Sequence, residues 1–278
     1  MVRGLPAGRP GRPIVMGVVN VTPDSFSDGG AWFDPDTALA HGRQLVADGA
    51  DVLDVGGEST RPGAERPTTA EELRRVLPVV DGLAGLAPVT IDTMRAEVAA
   101  AALDAGATAV NDVSGGLADP DMVPLLAERD VPVVAMHWRG HSSDMYARAA
   151  YDDVVVEVCR ELAGRVEAMT TAGVAEDRIA IDPGFGFAKT AEHNWELLRR
   201  LDEVVAVGPP VLVATSRKTF LGRVGREPGR ERDPMEREVT TAVTTAHAAR
   251  LGVWCVRVHD VVAAVDALDV ADALREQR

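Results

Sequence analysis

The chain has 278 residues, of which 46% are hydrophobic, and it carries a net charge of −14 at pH 7. This acidic balance argues against broad contact with nucleic acid or with an anionic membrane surface. The longest apolar runs have the length of buried strands, well short of the ~20 apolar residues of a membrane-spanning helix. The length suits two ordinary domains or one barrel, since barrels of ~250 residues form single domains.

The first thirteen residues contain basic side chains but lack the apolar stretch and the small-residue cleavage site of a signal peptide. We interpret residues 1–13 as a flexible, frayed lead-in and residues 14–275 as the folded domain. Cys159 falls in a predicted helix and Cys255 in a predicted strand. We therefore expect two reduced, buried thiols and a cytoplasmic protein.

From residue 14 onward, short β-branched runs alternate with longer runs rich in alanine and leucine. The β-branched runs are apolar on both faces, which is typical of parallel strands covered by helices. They predict strands at 14–20, 51–55, 88–92, 108–112, 131–136, 178–182, 210–214 and 253–258. The longer runs predict helices near 35–49, 69–84, 94–105, 119–129, 150–172, 190–201, 234–250 and 260–275.

Eight consecutive βα units predict an α/β fold, a single (β/α)8 TIM barrel. Gly49, Gly106 and Gly173 follow the periodic runs, where a glycine commonly ends a helix. A doubly wound open sheet is the alternative architecture. The charge-rich segment 223–237 is predicted to be a mobile surface loop before the seventh helix.

In a barrel, binding and catalytic groups lie where strands end and the following loops begin. Every predicted strand here ends in polar residues, and helix capping alone does not account for so regular a placement. The polar strand ends are 20–30, 56–63, 92–93, 111–112, 136–137, 182–187, 216–218 and 257–259.

The last strand places a charge inside the barrel. Alternation along the strand puts Trp254, Val256 and Val258 toward the helices and Cys255, Arg257 and His259 inside. A buried arginine is costly unless it is paired. Because Arg257 lies near the mouth, an anionic ligand is its natural partner, and His259 on the same face shares that expectation.

Each of the other candidates also has a structural interpretation. Asp92 could cap the third helix, but Thr93 can do so in its place. Asp182 could belong to a tight turn, although Gly184 and Gly186 also permit a ligand to approach the backbone closely. The same two interpretations, pocket or ordinary structure, apply to Asn111, Met136 and Phe187.

The sequence lacks the motifs of several common classes of catalytic and binding site. There is no HExxH, no cysteine cluster and no histidine spacing typical of a built-in zinc site. The chain has no GxSxG elbow, and its glycine turn lacks the lysine of a phosphate loop and the third glycine of a dinucleotide-binding motif.

Two ligand groups suit the remaining residues. Arg61, Arg257 and His259 offer donors for a diphosphate, and the amide of Asn20 could support a hydrated Mg²⁺ on it. The second set suits a flat amino-oxo heterocycle: its amino and ring N–H edge would meet acceptors, and its carbonyl edge an ammonium. This second set is Asp92, Asn111, Asp182 and Lys218.

These motifs resemble those of the dihydropteroate synthase family, and the resemblance extends from about residue 14 to 268. It is carried by NVTPDSFSDGG (20–30), GGESTRPG (56–63), IDT (91–93), NDVSGG (111–116), MHWRG (136–140), DPGFGF (182–187), SRK (216–218) and RVHD (257–260). Motifs in this order are highly specific, and the family's fold is a (β/α)8 barrel.

The resemblance implies a role for each matching residue. The pterin side is formed by Asp92, Asn111, Met136, Asp182, Phe187 and Lys218. The diphosphate side is formed by Asn20, Arg61, Arg257 and His259, with Asn20 as the magnesium ligand. The p-aminobenzoate pocket is formed by Thr60, Pro62, Phe187 and Thr219. Asn20, Arg61, Lys218, Arg257 and His259 are the expected catalytic residues.

The implied reaction is a transferase step of folate biosynthesis. It condenses 6-hydroxymethyl-7,8-dihydropterin diphosphate with p-aminobenzoate, gives 7,8-dihydropteroate and diphosphate, and is the target of sulfonamides. The resemblance also implies a homodimer. We expect the loops 20–30 and 56–63 to be mobile when empty and to build the arylamine pocket once diphosphate binds.

Departures and rival functions remain. Ala214, Thr219 and the segment 238–241 differ from residues common in the family, and Thr219 leaves the shape of the arylamine pocket open. The rivals are a pterin-dependent methyltransferase, which would not need the motifs of the first loop, the second loop and the last strand, and a non-catalytic pterin-binding paralogue, which would lack diphosphate residues. A glycosidase is weaker still, because the chain has only 4% aromatic residues.

Overall fold

The computed structural model describes residues 1–8, 12–22, 34–59, 66–140, 148–225 and 230–275. The strands are β1 (Ile14–Asn20), β2 (Val52–Gly56), β3 (Val89–Asp92), β4 (Ala109–Asp112), β5 (Val133–Met136), β6 (Ile179–Asp182), β7 (Leu212–Val213) and β8 (Cys255–Val258). The helices are α1 (Pro35–Ala47), α2 (Thr69–Leu83), α3 (Ala96–Asp104), α4 (Met122–Arg129), α5 (Val154–Thr171), α6 (Ala191–Arg199), α7 (Leu201–Val205), α8 (Glu238–Arg250) and α9 (Val261–Ala273).

The strands form a ring of parallel neighbours. Their order in the sheet is β6-β5-β4-β3-β2-β1-β8-β7, which follows the chain around the ring. A parallel bridge between Ile181 and Val211 joins the two ends, and Ile181 N donates to Pro210 O at 2.9 Å. A doubly wound sheet reverses its strand order at a switch point, and the described strands do not. The predicted (β/α)8 barrel is confirmed.

Most predicted bounds shift by a few residues, and two elements also differ in length or continuity. The seventh strand is shorter than predicted, and it begins after Pro210, a residue without an N–H for the strand ladder. The helix predicted at 190–201 is broken into α6 and α7, because the backbone of Arg200 leaves the helical region at φ −111° and ψ 30°. The break allows Leu201 and Val204 of α7 to be buried.

The interior of the barrel is apolar at its base. Side chains that face inward there form one cluster, whereas those that face outward pack with the helices in a larger one. The inward cluster contains Ile14, Met16, Val52, Ala109, Val134, Ala180, Leu212 and Cys255.

The N-terminal segment covers this base. Val2 and Leu5 are buried in the inward cluster together with Trp254, whose indole N–H donates to Pro6 O at 3.2 Å. A frayed lead-in therefore does not describe these residues, because the base exposes apolar side chains that the segment can bury. Trp254 does not face the helices as strand alternation predicted, since the last strand begins only at Cys255.

Part of the charge-rich segment before α8 is also tied down. Arg237 is buried, and its Nε and Nη1 donate to Arg232 O at 2.8 Å and to Arg217 O at 2.7 Å. Residues 230–237 are thus anchored to the turn that follows β7 and do not form the loose loop that the sequence predicted. Residues 226–229 lie outside the described part of the chain.

Candidate active site at the barrel mouth

The strand register brings the predicted polar residues to one end of the barrel. Strand ends that are adjacent in the sheet are level with each other, so their inward side chains meet in a single layer. The level pairs are Asn20 and Gly56, Gly56 and Asp92, Asp92 and Asn111, and Met136 and Asp182.

Arg257 bridges two carboxylates inside this mouth. Its Nε donates to Asp54 Oδ2 at 2.6 Å, and its Nη2 donates to Asp92 Oδ2 at 2.8 Å. These contacts use two of the five guanidinium N–H groups. The inward position agrees with strand alternation, but the charge is balanced by carboxylates of the barrel itself and does not depend on an anionic ligand alone.

Asp54 is a further residue of the candidate site, and the sequence analysis missed it. It is fully buried, and besides Arg257 it accepts hydrogen bonds from Asn111 Nδ2 at 3.0 Å and from the hydroxyl of Thr90. The signal was present in the sequence, because Asp54 follows the inward residue Val52 by two positions and shares its face. Asp54 thus orients one arginine and one amide of the site.

The carboxylate of Asp92 does not cap a helix. Nor does Thr93 cap α3 as predicted: its Oγ1 accepts from Arg95 N at 3.2 Å just before the helix, while the first helical N–H, that of Ala96, donates to Asp119 Oδ2 at 2.8 Å. Burial raises the pKa of Asp92 to about 7; Arg257 opposes this rise and Asp54 adds to it. Asp54 and Asp92 raise the pKa of Arg257 in spite of its burial. The mouth therefore holds a permanent cation beside a carboxyl group that titrates near neutral pH.

Asp182 ends β6 and is joined to a glycine turn. Its Oδ1 accepts from Gly184 N at 2.7 Å, and burial raises the pKa of the carboxyl to about 6. Gly184 has a φ of +68°, and a Cβ there would lie 2.6 Å from His137 O. Glycine is required at this position both by the backbone conformation and by the close approach to the end of β5.

Lys218 follows β7, the neighbour of β6 in the ring, and lies close enough to Asp182 to feel its charge. Its Nζ lies 4.1 Å from the centroid of the Phe187 ring, within the range of a cation–π contact. Burial lowers the pKa of Lys218 to about 8, and nearby Arg257 adds to that effect while Asp182 opposes it. Phe187 packs against a small apolar cluster that includes Met136, so both residues line the mouth and contribute to its packing.

His259 is oriented by Ser216. The Ser216 Oγ accepts from His259 N at 3.2 Å and lies 2.8 Å from His259 Nδ1. Since the hydroxyl oxygen already accepts the backbone N–H, its own proton is available for Nδ1. A neutral imidazole in this arrangement carries its proton on Nε2 and can donate it to an anion.

Of the remaining predicted residues, the structure describes Asn20 and Thr219 but not the three from the second loop. Asn20 is half-buried at the end of β1, and Thr219 is exposed directly after Lys218. Thr60, Arg61 and Pro62 lie outside the described residues, as do 23–33 of the first loop and 60–65 of the second. The base of the second loop is described: Arg95 donates to Glu58 Oε2 at 3.0 Å and to Pro67 O at 2.7 Å.

The donors available to a metal ion are few. Among the described residues, no three His, Cys, Asp or Glu side chains are arranged to hold one. The amide of Asn20 remains as a neutral oxygen ligand at the mouth. Within the described residues, this donor set fits magnesium that would arrive with its own phosphate and water ligands.

The fold and this site define a class of protein. The family model described as "Pterin binding enzyme" matches residues 16–259, from β1 to the end of the last strand's polar motif. The chain therefore belongs to the pterin-binding enzyme family.

Known dihydropteroate synthases are similar to this chain over nearly its whole length. The dihydropteroate synthase of Mycobacterium leprae (strain TN) is 55% identical over 262 residues, which are 93% of this chain and 92% of that protein. The structure of Xanthomonas albilineans dihydropteroate synthase with 4-aminobenzoic acid matches with a TM-score of 0.87 and 45% identity, covering 96% and 94% of the two chains. The Yersinia pestis dihydropteroate synthase, in a complex with a sulfonamide drug, matches with a TM-score of 0.91 and 37% identity over 100% and 99%.

Proposed function

We propose that this protein is a dihydropteroate synthase, a transferase of folate biosynthesis. It joins p-aminobenzoate to 6-hydroxymethyl-7,8-dihydropterin diphosphate and releases diphosphate. The observation that carries the proposal is that one barrel mouth holds two sets of groups, acceptors that suit a pterin and donors that suit a diphosphate. Asp92, Asn111 and Asp182 provide acceptors for a pterin, and Arg257 and His259 provide donors for its leaving group.

The pterin-binding groups form hydrogen bonds to two edges of one ring system. The carboxylates of Asp92 and Asp182 accept from the amino and ring N–H edge, and the ammonium of Lys218 donates to the carbonyl edge. Phe187, whose ring already contacts Lys218, covers one side of the heterocycle. An analogue without these N–H donors would leave buried carboxylates unpaired, which gives the site its specificity.

Departure of diphosphate is the step that the site assists most. The bond from the exocyclic carbon to oxygen breaks, and its electron pair leaves with the diphosphate while the electron-rich dihydropterin stabilises the resulting cation. Arg257 and the Nε2 proton of His259 stabilise the negative charge that develops on the leaving oxygen. The neutral arylamine nitrogen then bonds to the carbon and gives up one proton to water or to the released diphosphate, without a strong general base.

Magnesium fits this scheme as an ion carried by the diphosphate. Asn20 would hold it from the protein side, since the described residues offer no acidic cage. When bound, the ion neutralises charge on the leaving group. Arg61, Thr60 and Pro62 are proposed to complete the diphosphate and arylamine pockets, together with Thr219.

Sulfonamides are proposed to compete for the arylamine pocket, as the drug complex of the Yersinia pestis protein supports. We also propose that residues 14–275 form one catalytic barrel and that the protein is a cytoplasmic homodimer. The free thiols of Cys159 and Cys255 are typical of a reducing compartment. None of the described helices is long and apolar enough to cross a membrane.

The direct test is incubation of the purified protein with both substrates and Mg²⁺. Dihydropteroate and diphosphate should form in equal amounts, and a sulfonamide should inhibit in competition with p-aminobenzoate. The matched control is Arg250→Ala, which removes an exposed arginine at the last residue of α8, where the chain leads into the base end of β8, and should leave the rate unchanged. Absence of dihydropteroate with folded protein would refute the function.

A further inference from the structure

A buried lysine outside the site described above lies directly behind the glycine turn of β6. Lys189 is only 2% exposed, and its Nζ lies 3.0 Å from His137 Nδ1, 3.1 Å from Gly184 O and 3.1 Å from Phe187 O. An ammonium group has three N–H donors and no acceptor. Each proton of Lys189 therefore has one acceptor.

The contact that His137 Nε2 makes determines that Nδ1, on the other side of the ring, is a hydrogen-bond acceptor. His137 Nε2 lies 2.9 Å from Glu161 Oε2, and an ionised carboxylate can only accept, so the ring proton is on Nε2. Burial and the positive charge of Lys189 lower the pKa of His137 to about 4, which agrees with a neutral ring. The lone pair of Nδ1 then faces the lysine.

Charges at both ends of this chain of hydrogen bonds are balanced. Burial opposes ionisation of Glu161, but hydrogen bonds from His137 and Arg139 hold the pKa of its carboxyl at about 2. Burial lowers the pKa of Lys189 to about 7, with Asp182 and Glu161 opposing that shift. Three acceptors around Nζ favour the charged amine. The chain of hydrogen bonds therefore consists of the Lys189 ammonium, the neutral His137 imidazole and the Glu161 carboxylate.

The turn held by Lys189 carries two groups of the pterin side. Gly184 N donates to the carboxylate of Asp182 at 2.7 Å, and Phe187 places its ring 4.1 Å from Lys218 Nζ. Lys189 binds the carbonyl at each end of this four-residue turn. A turn without that double contact could open, and both the acid and the ring would move with it.

We propose that Lys189, oriented by His137 and Glu161, is a positioning residue for the pterin half of the site. Its ammonium fixes the turn from Gly184 to Phe187 so that Asp182 and the aromatic ring keep the spacing that a heterocycle requires. The role rests on the proposed function, because it assumes that a pterin occupies this half of the mouth. It does not extend to the diphosphate half, whose described donors Arg257 and His259 lie on β8 and directly after it.

The test separates the two halves of the site by calorimetry. The probes are 6-hydroxymethylpterin, which lacks diphosphate, and inorganic diphosphate with Mg²⁺. In Lys189→Met the methionine fills a similar volume but donates no hydrogen bond. We expect pterin affinity to fall by about 10- to 100-fold, the scale for loss of a charged hydrogen bond, while diphosphate affinity stays unchanged. The KM for the pterin substrate should rise correspondingly more than kcat falls.

A second variant covers the case in which the buried substitution prevents folding. Glu161 is partly exposed, so Glu161→Ala removes the outer end of this chain of hydrogen bonds without opening a fully buried cavity. We expect the same selective loss of pterin affinity on a smaller scale, and Glu161→Gln, which keeps an acceptor for His137, should recover part of it. The matched control is Glu157→Gln, since Glu157 pairs with Arg139 but has no contact with His137.

Three outcomes overturn the proposal. These are unchanged pterin affinity in Lys189→Met or Glu161→Ala, an equal loss for both probes, and a loss in Glu157→Gln as large as in Glu161→Ala. A different experimental result would show that the proposed function is wrong. Wild-type protein that binds the pterin but forms no dihydropteroate refutes the function, and the positioning role would still be read from the binding data.

Discussion

The base and the mouth of this barrel are adjacent layers of inward side chains, but they are built from different residue types. On four strands the inward side chain changes from small or apolar to polar in one alternation, in the pairs Val52 and Asp54, Ala109 and Asn111, Ala180 and Asp182, and Cys255 and Arg257. Both layers are buried, but they are stabilised differently. The base is held by packing, whereas the mouth is held by ion pairs and hydrogen bonds that must offset the loss of hydration.

This difference separates stability from function within one set of strands. An apolar base contributes free energy of unfolding and needs no ligand, because its side chains are satisfied by contact alone. A polar mouth is costly to bury and keeps groups that can exchange their protein partners for substrate. Substitutions in the two layers should therefore change different measured quantities, and the predictions below test that separation.

The largest expected effect is on stability, from Leu212→Ala at the base. Leu212 is fully buried inside the barrel, and truncation of a core leucine lowers the free energy of unfolding by about 2–5 kcal/mol. Turnover by the folded variant should remain near the wild-type value, because the mouth is unchanged. Denaturant unfolding and steady-state kinetics on the same preparation provide the two numbers, and a parallel loss of turnover would contradict the separation.

The next effect is on turnover, from Arg257→Ala in the mouth. Loss of one charge-stabilising donor should reduce turnover by about 10²–10³-fold. The variant also leaves Asp54 and Asp92 facing each other without a cation, so we expect some loss of stability. Measurements at a temperature where the variant is folded isolate the catalytic effect. Near-normal turnover there would rule out a role in diphosphate departure.

Asp182→Asn should act on pterin affinity alone. Asparagine keeps an oxygen that can accept from Gly184 N, so the turn stays closed, but the charge that strengthens the hydrogen bonds to the pterin is lost. We expect binding to weaken by about 1.5–3 kcal/mol, the range for a hydrogen bond to a charged group. Calorimetry with a pterin measures this, and inorganic diphosphate, which should bind as in the wild type, is the control.

Pterin binding should also depend on pH through the same carboxyl group. Burial raises the pKa of Asp182 to about 6, so the acceptor is ionised above that pH and becomes protonated as the pH falls through it. Affinity should therefore be full at higher pH and fall by up to about tenfold per unit in acid. Asp92, with a pKa of about 7, adds its own inflection, and Asp182→Asn should remove only the lower one.

The smallest expected effect comes from Ser216→Ala. Without the hydroxyl, His259 loses the partner of Nδ1 and its preference for a proton on Nε2 is weakened. The cost should be about 0.5–1.5 kcal/mol, the net value of one hydrogen bond, and it should fall on kcat rather than on pterin affinity. Ser216→Thr, which keeps a hydroxyl, is the matched control, and equal losses in both variants would contradict the assignment.

Local patterns in the sequence were sufficient to predict the elements and the end of the barrel that carries the site. β-Branched runs, glycine stops and strand alternation depend on neighbours within a few residues, so eight strands could be located and Arg257 placed inside the barrel. The resemblance of the motifs to one family added the substrates, and the comparisons bear out that family assignment.

What the sequence by itself could not determine is which distant groups meet. Asp54 and Arg257 are 203 positions apart, and their ion pair depends on how the closed ring sets the register of its strands. The same holds for Lys189 and His137, which are 52 positions apart, and for Trp254, which closes the base only because the N-terminal segment crosses it. Periodicity reports which face a side chain occupies, but a pairing across the barrel is decided by closure, because only the folded ring brings those faces within hydrogen-bond distance.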